Sequence, residues 1–123
     1  IADGTLKLYT TPEGVLRERG DIHDRDGALF KGIFIRNLRL LADVDPDPEY
    51  SARYNKFINS NAAVLQAHAR TSDGMYGAYW QGPVDPSARP CSQPGHAECG
   101  NATGAVPQIS ALELLAAVTP GAA

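Results

Sequence analysis

Carboxylates are concentrated in one short stretch of the chain. Residues 19–26 read RGDIHDRD and contain Asp21, Asp24 and Asp26. Carboxylates held roughly 5–9.5 Å apart across a glycosidic bond can cleave it as acid and base or as acid and nucleophile. The simpler interpretation is a solvated loop in which one aspartate caps the next helix. The functional interpretation stays open, with Asp26 at the rim of a cleft.

Aromatic side chains form a second group that could bind a ligand. Trp80 is the single tryptophan, and Tyr76 and Tyr79 are close to it in sequence. Exposed aromatic faces stack well on the C–H faces of sugar rings. Alternatively, Trp80 fills the gap between a loop and the helices. No G-x-S-x-G sequence is present, so nucleophilic Ser/His/Asp chemistry has no support.

The two cysteines, Cys91 and Cys99, lie in a segment rich in proline and glycine. An even number of closely spaced cysteines outside a helix predicts a short disulfide loop, which indicates an oxidising compartment. Two free thiols are the alternative. His96 lies between the cysteines, but no fourth ligand is evident and the spacing fits no zinc motif, so we predict no metal and no cofactor. The sequon at Asn101 agrees with secretion.

Composition limits the classes of partner. The 123 residues are 43% hydrophobic and 20% charged, which is typical of a globular chain, and the net charge is −3. Without a basic run, nucleic acid and anionic membrane are poor partners. No apolar stretch approaches the roughly 20 residues of a membrane span.

Helices must position these residues. Apolar periodicity predicts a helix that begins near its cap, Asp26, and is apolar on more than one side, as in a helix packed between neighbours. Asp47 as cap and Pro48 as first residue predict a second helix, which ends near Arg70. A last helix is predicted over 108–118. The expected inward stripes are Phe30, Ile33, Phe34, Leu38 and Leu41 in the first of these helices, and Ile109, Leu112 and Leu115 in the last.

The remaining segments are less regular. Residues 1–10 read as the end of a helix, and the chain begins with Ile1 rather than Met, so we expect a start partway through a longer polypeptide. Residues 74–107 hold many glycines and prolines and no helical period, which predicts a long irregular loop before the last helix. No internal repeat is evident in the sequence.

Four blocks of sequence, in order, resemble glycoside hydrolase family 76, the endo-α-1,6-mannanase type. The first, DGALFKGIFIRNL, is long and specific and opens the helix at residue 26. YNKFINSNAA, GAYWQGP and QISALE follow at plausible spacing, so the resemblance covers about residues 1–118.

The resemblance implies an all-α chain, residues 1–123, that forms the last helices of an (α/α)6 toroid, a C-terminal part whose upstream part is missing. The family's catalytic pair is two consecutive aspartates on an earlier helix, and no Asp-Asp pair occurs here. No catalytic residue is therefore assigned in this chain. The expected partners are a mannan-like polysaccharide or oligosaccharide and the missing part of the fold or a second chain. The expected location is secreted or associated with the cell wall.

The resemblance also suggests a substrate-binding set. Phe30, Lys31 and Trp80 should face one cleft, with Asp26 at its edge, although Lys31 could equally be a structural charge. Two alternative functions stay open. One is a non-catalytic carbohydrate-binding or interaction module built on the same fold, and the other is a related cell-wall transglycosidase.

The cysteine pair gives the first testable prediction. Cys91 and Cys99 should be bonded, and a loop this short should stabilise the protein by at most about 3 kcal/mol. Thiol titration of the native, unreduced protein should find no reactive thiol, whereas reduction should release two. Two thiols in the unreduced protein would show that the bond is absent.

Overall fold

The structure, a computed structural model, describes residues 1–88, 90 and 99–118. Over these residues it is all-α, as predicted, and extended pairing is limited to isolated bridges. The described residues between the second hairpin and the last helix, 78–88, 90 and 99–104, form neither helix nor strand. The four helices are α1 (Ala2–Tyr9), α2 (Arg25–Val44), α3 (Pro48–His68) and α4 (Ala105–Ala116).

The N-cap of α2 is Asp24, not Asp26. The Asp24 carboxylate accepts a hydrogen bond from the Gly27 N–H at 2.7 Å, because a cap residue reaches the free N–H groups of the first turn. Asp26 is the second residue of the helix and is exposed. The prediction of Asp26 as the cap was therefore wrong by two residues.

α2 has two apolar faces, and the one buried here is not the predicted stripe. Of that stripe, Leu38 is buried, whereas Phe30 is 56% exposed and Leu41 is 37% exposed. The buried face combines three small residues and one lysine with two large apolar residues, and a search for large apolar side chains does not select the small residues or the lysine. Its members are Ala28, Lys31, Gly32, Ile35, Leu38 and Ala42.

α3 begins as predicted. Pro48 is its first residue, and the Asp47 carboxylate accepts from the Glu49 N–H at 2.9 Å. Proline is favoured at this position because the N–H that it lacks has no partner within the helix. The helix ends at His68, two residues before the predicted end.

The inward face of α4 differs from the prediction. Ile109 is 48% exposed and Leu112 is 60% exposed, so both point away from the other helices, and only Leu115 of the predicted set is partly buried. Ser110 and Leu114 lie on the buried face instead. The predicted orientation of Ile109 and Leu112 was therefore wrong.

Small residues explain the orientation of α4, because they let it approach α2 closely. The Gly32 N–H donates to the Ser110 hydroxyl at 3.1 Å, and a Cβ placed on Gly32 would lie 2.7 Å from the Ser110 Cα. Such a distance leaves no room for any side chain other than glycine's hydrogen. α2 and α4 thus form the main helix–helix contact among the described residues.

A β-hairpin follows α1 and recurs after α3 at an offset of 60 residues. In the first hairpin, Thr10 bridges Leu16, and in the second, Arg70 bridges Tyr76. The turns read TPEGV and TSDGM, so they share only a threonine, an acidic residue and a glycine. The structure therefore contains an α–hairpin unit twice, although the sequence shows no repeat.

The shared residues of the hairpins do the same work in both. The hydroxyls of Thr11 and Thr71 accept from the N–H four residues later, at 3.1 and 2.8 Å. Gly14 and Gly74 have φ values of +88° and +90°, which glycine adopts without strain. The threonine and the glycine therefore fix the same turn twice.

Amide side chains hold each hairpin to a later helix. Asn61 on α3 accepts the Leu16 N–H at 2.8 Å and donates to the Gly14 carbonyl at 3.1 Å. Gln108 on α4 accepts the Tyr76 N–H at 2.9 Å and donates to its carbonyl at 2.7 Å. Each unit is thereby attached through its backbone to the helix beside it.

The close approach of α2 and α4 gives the second prediction. Gly32→Ala should lower the free energy of unfolding by about 1–3 kcal/mol, because the new methyl group must push the helices apart. Gly4→Ala is the matched control, since nothing lies within 4 Å of that position in α1. Denaturant unfolding should show Gly4→Ala to be neutral or stabilising. Equal stability of the two variants would contradict the packing described above.

Candidate functional site

Two adjoining cavities lie at the N-terminal end of α2. Their volumes are about 190 Å³ and 390 Å³, and both are lined by Glu18, Arg19 and Phe30. We call the two together the α2 groove. Residues that line only the first cavity include Tyr9, Leu16, Lys31 and Phe34; those that line only the second include Asp21, Ile22, His23, Asp24 and Asp26.

The acidic loop that forms one wall of the groove is fixed in place. Ile22 is buried, its N–H donates to the Tyr79 hydroxyl at 3.0 Å, and its carbonyl accepts the Cys99 N–H at 2.8 Å. These bonds attach the loop to segments that follow the second hairpin. Asp21 and His23, on either side of Ile22, are consequently exposed at a defined place along the groove.

Lys31 lies beneath the groove, with only 2% of its surface exposed. Its ammonium donates to the Ala78 carbonyl at 2.5 Å and lies 4.8 Å from the centre of the Trp80 ring. An ammonium at this distance from an aromatic face is attracted by the ring quadrupole. Burial is still the largest influence on the group and lowers the pKa of Lys31 to about 8, while the nearby charge of Glu18 opposes the shift.

Glu18 connects this buried lysine to the groove. Its carboxylate accepts the Lys31 backbone N–H at 3.2 Å, and the residue is partly exposed. Burial raises the pKa of the Glu18 carboxyl, whereas the Lys31 charge and the backbone hydrogen bond act in the opposite direction. The groove thus has a carboxylate that is fixed by the backbone and can accept hydrogen bonds from a ligand.

The structure brings most of the predicted substrate-binding set together. Phe30 lines both cavities, Lys31 lines the first, and Asp26 lines the second. Trp80 contacts Lys31 from below and is completely buried, so its ring offers no face to a sugar in this structure. Its position fits the structural role that the sequence left open.

Sequence reasoning missed Glu18. Its place at the groove depends on the first hairpin, which no periodic pattern reveals. The only sequence signal is a charged pair, Arg17 and Glu18, directly after Val15 and Leu16, both of which are buried.

Several other predictions remain untested. Cys91 lies outside the described residues, and Cys99 is buried, so the proposed bond stays a prediction. Asn101 is partly buried in a turn, and its glycosylation also stays a prediction. Within residues 1–88, 90 and 99–118, no group of three or more His, Cys, Asp or Glu side chains is arranged to hold a metal. Over the same residues, no helix combines the length and hydrophobicity needed to cross a bilayer.

Helix–hairpin units side by side, with a groove at the hairpin end, are typical of a segment of an α/α array. Comparison with solved structures identifies the array. The chain matches the α-1,6-mannanase GH76A from Salegentibacter sp. HEL1_6 at a TM-score of 0.64 and 26% identity, over 94% of this chain and 30% of that one. No family model and no curated protein sequence matches the chain.

Two further structures of the same enzyme match. Both are inactive variants in which two consecutive aspartates are replaced, one bound to α-1,6-mannotriose (TM-score 0.60, 27% identity) and one to α-1,6-mannotetrose (0.65, 26%). They cover 89% and 94% of this chain, and 27% and 30% of theirs. The resemblance to glycoside hydrolase family 76 is thus confirmed, and the chain spans about a third of the enzymes it matches.

The buried lysine gives the third prediction. Because the pKa of Lys31 is lower in the folded state than in the unfolded state, the unfolded chain binds more protons between about pH 8 and 10.5. The contribution of Lys31 to the free energy of unfolding therefore increases as the pH rises through this window. The free energy of unfolding of the wild type should increase relative to that of Lys31→Met across it.

Lys56→Met is the control, because Lys56 is exposed on α3. Its pH profile, measured by denaturant unfolding at each pH, should run parallel to that of the wild type. If Lys31→Met also runs parallel, the ammonium is not buried as the structure places it.

Proposed function

We propose that this chain is part of a glycosidase that acts on α-1,6-linked mannan, and that it supplies cleft wall and sugar contacts rather than the catalytic acids. The observation that carries the proposal is the match of 94% of the chain to a GH76 α-1,6-mannanase that also forms complexes with mannooligosaccharides. The α2 groove provides the surface for the sugar.

The catalytic step is assigned to residues outside these 123. The inactive variants of the matched enzyme replace two consecutive aspartates, and this chain has no such pair. Asp21 and Asp24 belong to the loop before α2 and Asp26 belongs to its first turn, and Asp24 is committed to the helix cap. A complete active site therefore needs further helices that carry an Asp-Asp pair.

The groove offers two kinds of sugar contact. The Glu18 carboxylate, held by the Lys31 N–H, can accept hydrogen bonds from sugar hydroxyls, and such bonds to a charged group are among the stronger polar contacts. Phe30, which is 56% exposed, offers an apolar surface to the C–H face of a ring. Asp26 adds a carboxylate at the edge of the second cavity.

Secretion is part of the same proposal. A disulfide between Cys91 and Cys99 and a glycan at Asn101 would both require the secretory route, and a mannan substrate would be reached outside the cell. The compartment can be checked directly by looking for the protein in the culture medium.

The fourth prediction tests the role of Glu18 in sugar binding by the full-length polypeptide. Loss of a charged hydrogen-bond acceptor is worth about 1.5–3 kcal/mol, so Glu18→Gln should weaken α-1,6-mannotetraose binding by roughly 10- to 100-fold. Calorimetric titration gives the Kd. Glu13→Gln, in the exposed turn of the first hairpin, is the matched control and should bind like the wild type.

Hydrolysis of α-1,6-mannan by the complete polypeptide, with none above background for the 123-residue chain alone, would support the glycosidase. Binding without hydrolysis by the complete polypeptide would indicate a carbohydrate-binding module instead. Transfer of mannose to a sugar acceptor, seen by product analysis, would indicate a transglycosidase. If Glu18→Gln and Glu13→Gln bind α-1,6-mannotetraose with equal affinity, Glu18 does not contact the sugar.

A further inference from the structure

The two cavities of the α2 groove differ in the charge of the residues that line them. Three positive side chains and one carboxylate line the first cavity, namely Arg17, Arg19, Lys31 and Glu18. Four carboxylates, one arginine and one histidine line the second, namely Glu18, Asp21, Asp24, Asp26, Arg19 and His23. The groove therefore has a positive end at the first cavity and a negative end at the second.

Arg17 and Arg19 are the uncompensated charges of the first cavity. The buried Lys31 ammonium and the Glu18 carboxylate act on each other, and Glu18 also accepts the Lys31 backbone N–H at 3.2 Å. Arg17 and Arg19 are both exposed. Within the part of the chain that the structure describes, their guanidinium groups form no hydrogen bond and no ion pair, whereas three other arginines each pair with a carboxylate.

The walls around these two arginines are largely apolar. They include Tyr9, Leu16 and Phe34. A cleft with low-dielectric walls and charges of one sign concentrates the electric field and attracts a ligand of the opposite sign. Guanidinium groups also match the oxygens of a phosphate, which they can bind through two parallel hydrogen bonds. The first cavity therefore fits an anionic oxygen group on a body that can contact apolar walls, and a substituted sugar has both parts.

We propose that Arg17 and Arg19 bind an anionic ester, phosphate or sulfate, on the mannan that occupies the α2 groove, so that the groove prefers an acidic mannan to a neutral one. The inference rests on the proposed function, because it takes the groove as the sugar site. The carboxylates of the second cavity repel the same ester. The charge difference between the cavities therefore also sets the direction in which the glycan lies along the groove.

Calorimetric titration of the full-length polypeptide with matched α-1,6-mannotetraoses tests the proposal. One probe is neutral, and two carry a phosphate, on O6 of the non-reducing mannose or on C1 of the reducing mannose. Either direction of the glycan can then place a phosphate at the first cavity. The better phosphorylated probe should bind about tenfold tighter than the neutral one, as expected for a charged hydrogen bond to arginine. The corresponding sulfate ester then shows which of the two anions is preferred.

The double variant Arg17→Gln, Arg19→Gln removes both charges and keeps polar side chains. The ratio of the Kd for the neutral probe to the Kd for the phosphorylated probe should fall from about ten to about one. An effect of the substitutions on folding or on the other sugar contacts changes both Kd values and cancels in this ratio. Arg25→Gln is the matched control and should keep the wild-type ratio, because Arg25 is exposed at the start of α2 and lines neither cavity.

Two results would overturn the proposal. One is a phosphate that leaves the affinity unchanged or lowers it at both ends of the tetraose. The other is a gain in affinity that survives in the double variant, which is the result expected if the arginines pair with carboxylates elsewhere in the polypeptide. In both cases the sugar proposal stands as long as the neutral probe binds.

The sugar proposal fails if the neutral probe does not bind. Binding of a phosphorylated probe that requires both arginines would then still support the anion site, and absence of that binding would overturn it.

Discussion

The buried ammonium of Lys31 is the interaction on which the rest of the structure depends. A charge removed from water is costly unless it is paired and hydrogen-bonded. Here the charge is stabilised by a hydrogen bond to the Ala78 carbonyl, by the face of the Trp80 ring and by the nearby Glu18 carboxylate. These groups come from the end of the first hairpin and from the segment after the second. The lysine can therefore be stable only when α2 and both hairpin ends meet.

The same contact explains why the fold and the groove cannot be separated. Glu18 and Ala78 directly follow the two hairpins at the same offset of 60 residues, and both contact Lys31. Lys31 thus contacts the first residue after each of the two hairpins. Trp80 is needed below the ammonium, which accounts for its burial even though an aromatic residue in a loop suggests a sugar platform. Stability and ligand geometry are consequently set by one cluster.

Local chemistry made parts of this structure predictable. The start of α3 follows from Asp47 and Pro48, because a cap needs only its own first turn. The buried face of each helix was harder to predict, because it depends on the elements that pack against the helix. In α4, Ile109 and Leu112 are the more hydrophobic residues, yet Ser110 faces inward because close approach to Gly32 requires a small side chain. In α2, the predicted stripe includes Phe30 and Leu41, which lie mostly on the second face, exposed in this structure.

As with the fold, only part of the candidate site could be predicted from the sequence. Phe30, Lys31 and Asp26 follow from the sequence blocks around the start of α2, and all three line the groove. Glu18 does not follow, because it reaches Lys31 only after the first hairpin has folded. The hairpins themselves were missed, since a threonine, an acidic residue and a glycine are too few letters to reveal a repeat.

The two units differ in what comes between hairpin and helix. Residues 18–24 connect the first hairpin to α2, while the much longer segment 78–104 connects the second to α4. The two hairpins share their backbone hydrogen bonds in spite of this difference, and Asn61 and Gln108 hold backbone atoms of the hairpins rather than residues of the connections. The connection after each hairpin can therefore differ in length beyond the residues that hold Lys31 and cap α2, while the helices keep their arrangement. Because residues 18–24 line the second cavity of the α2 groove, a change in this connection would alter the shape of the groove while the helices stay in place.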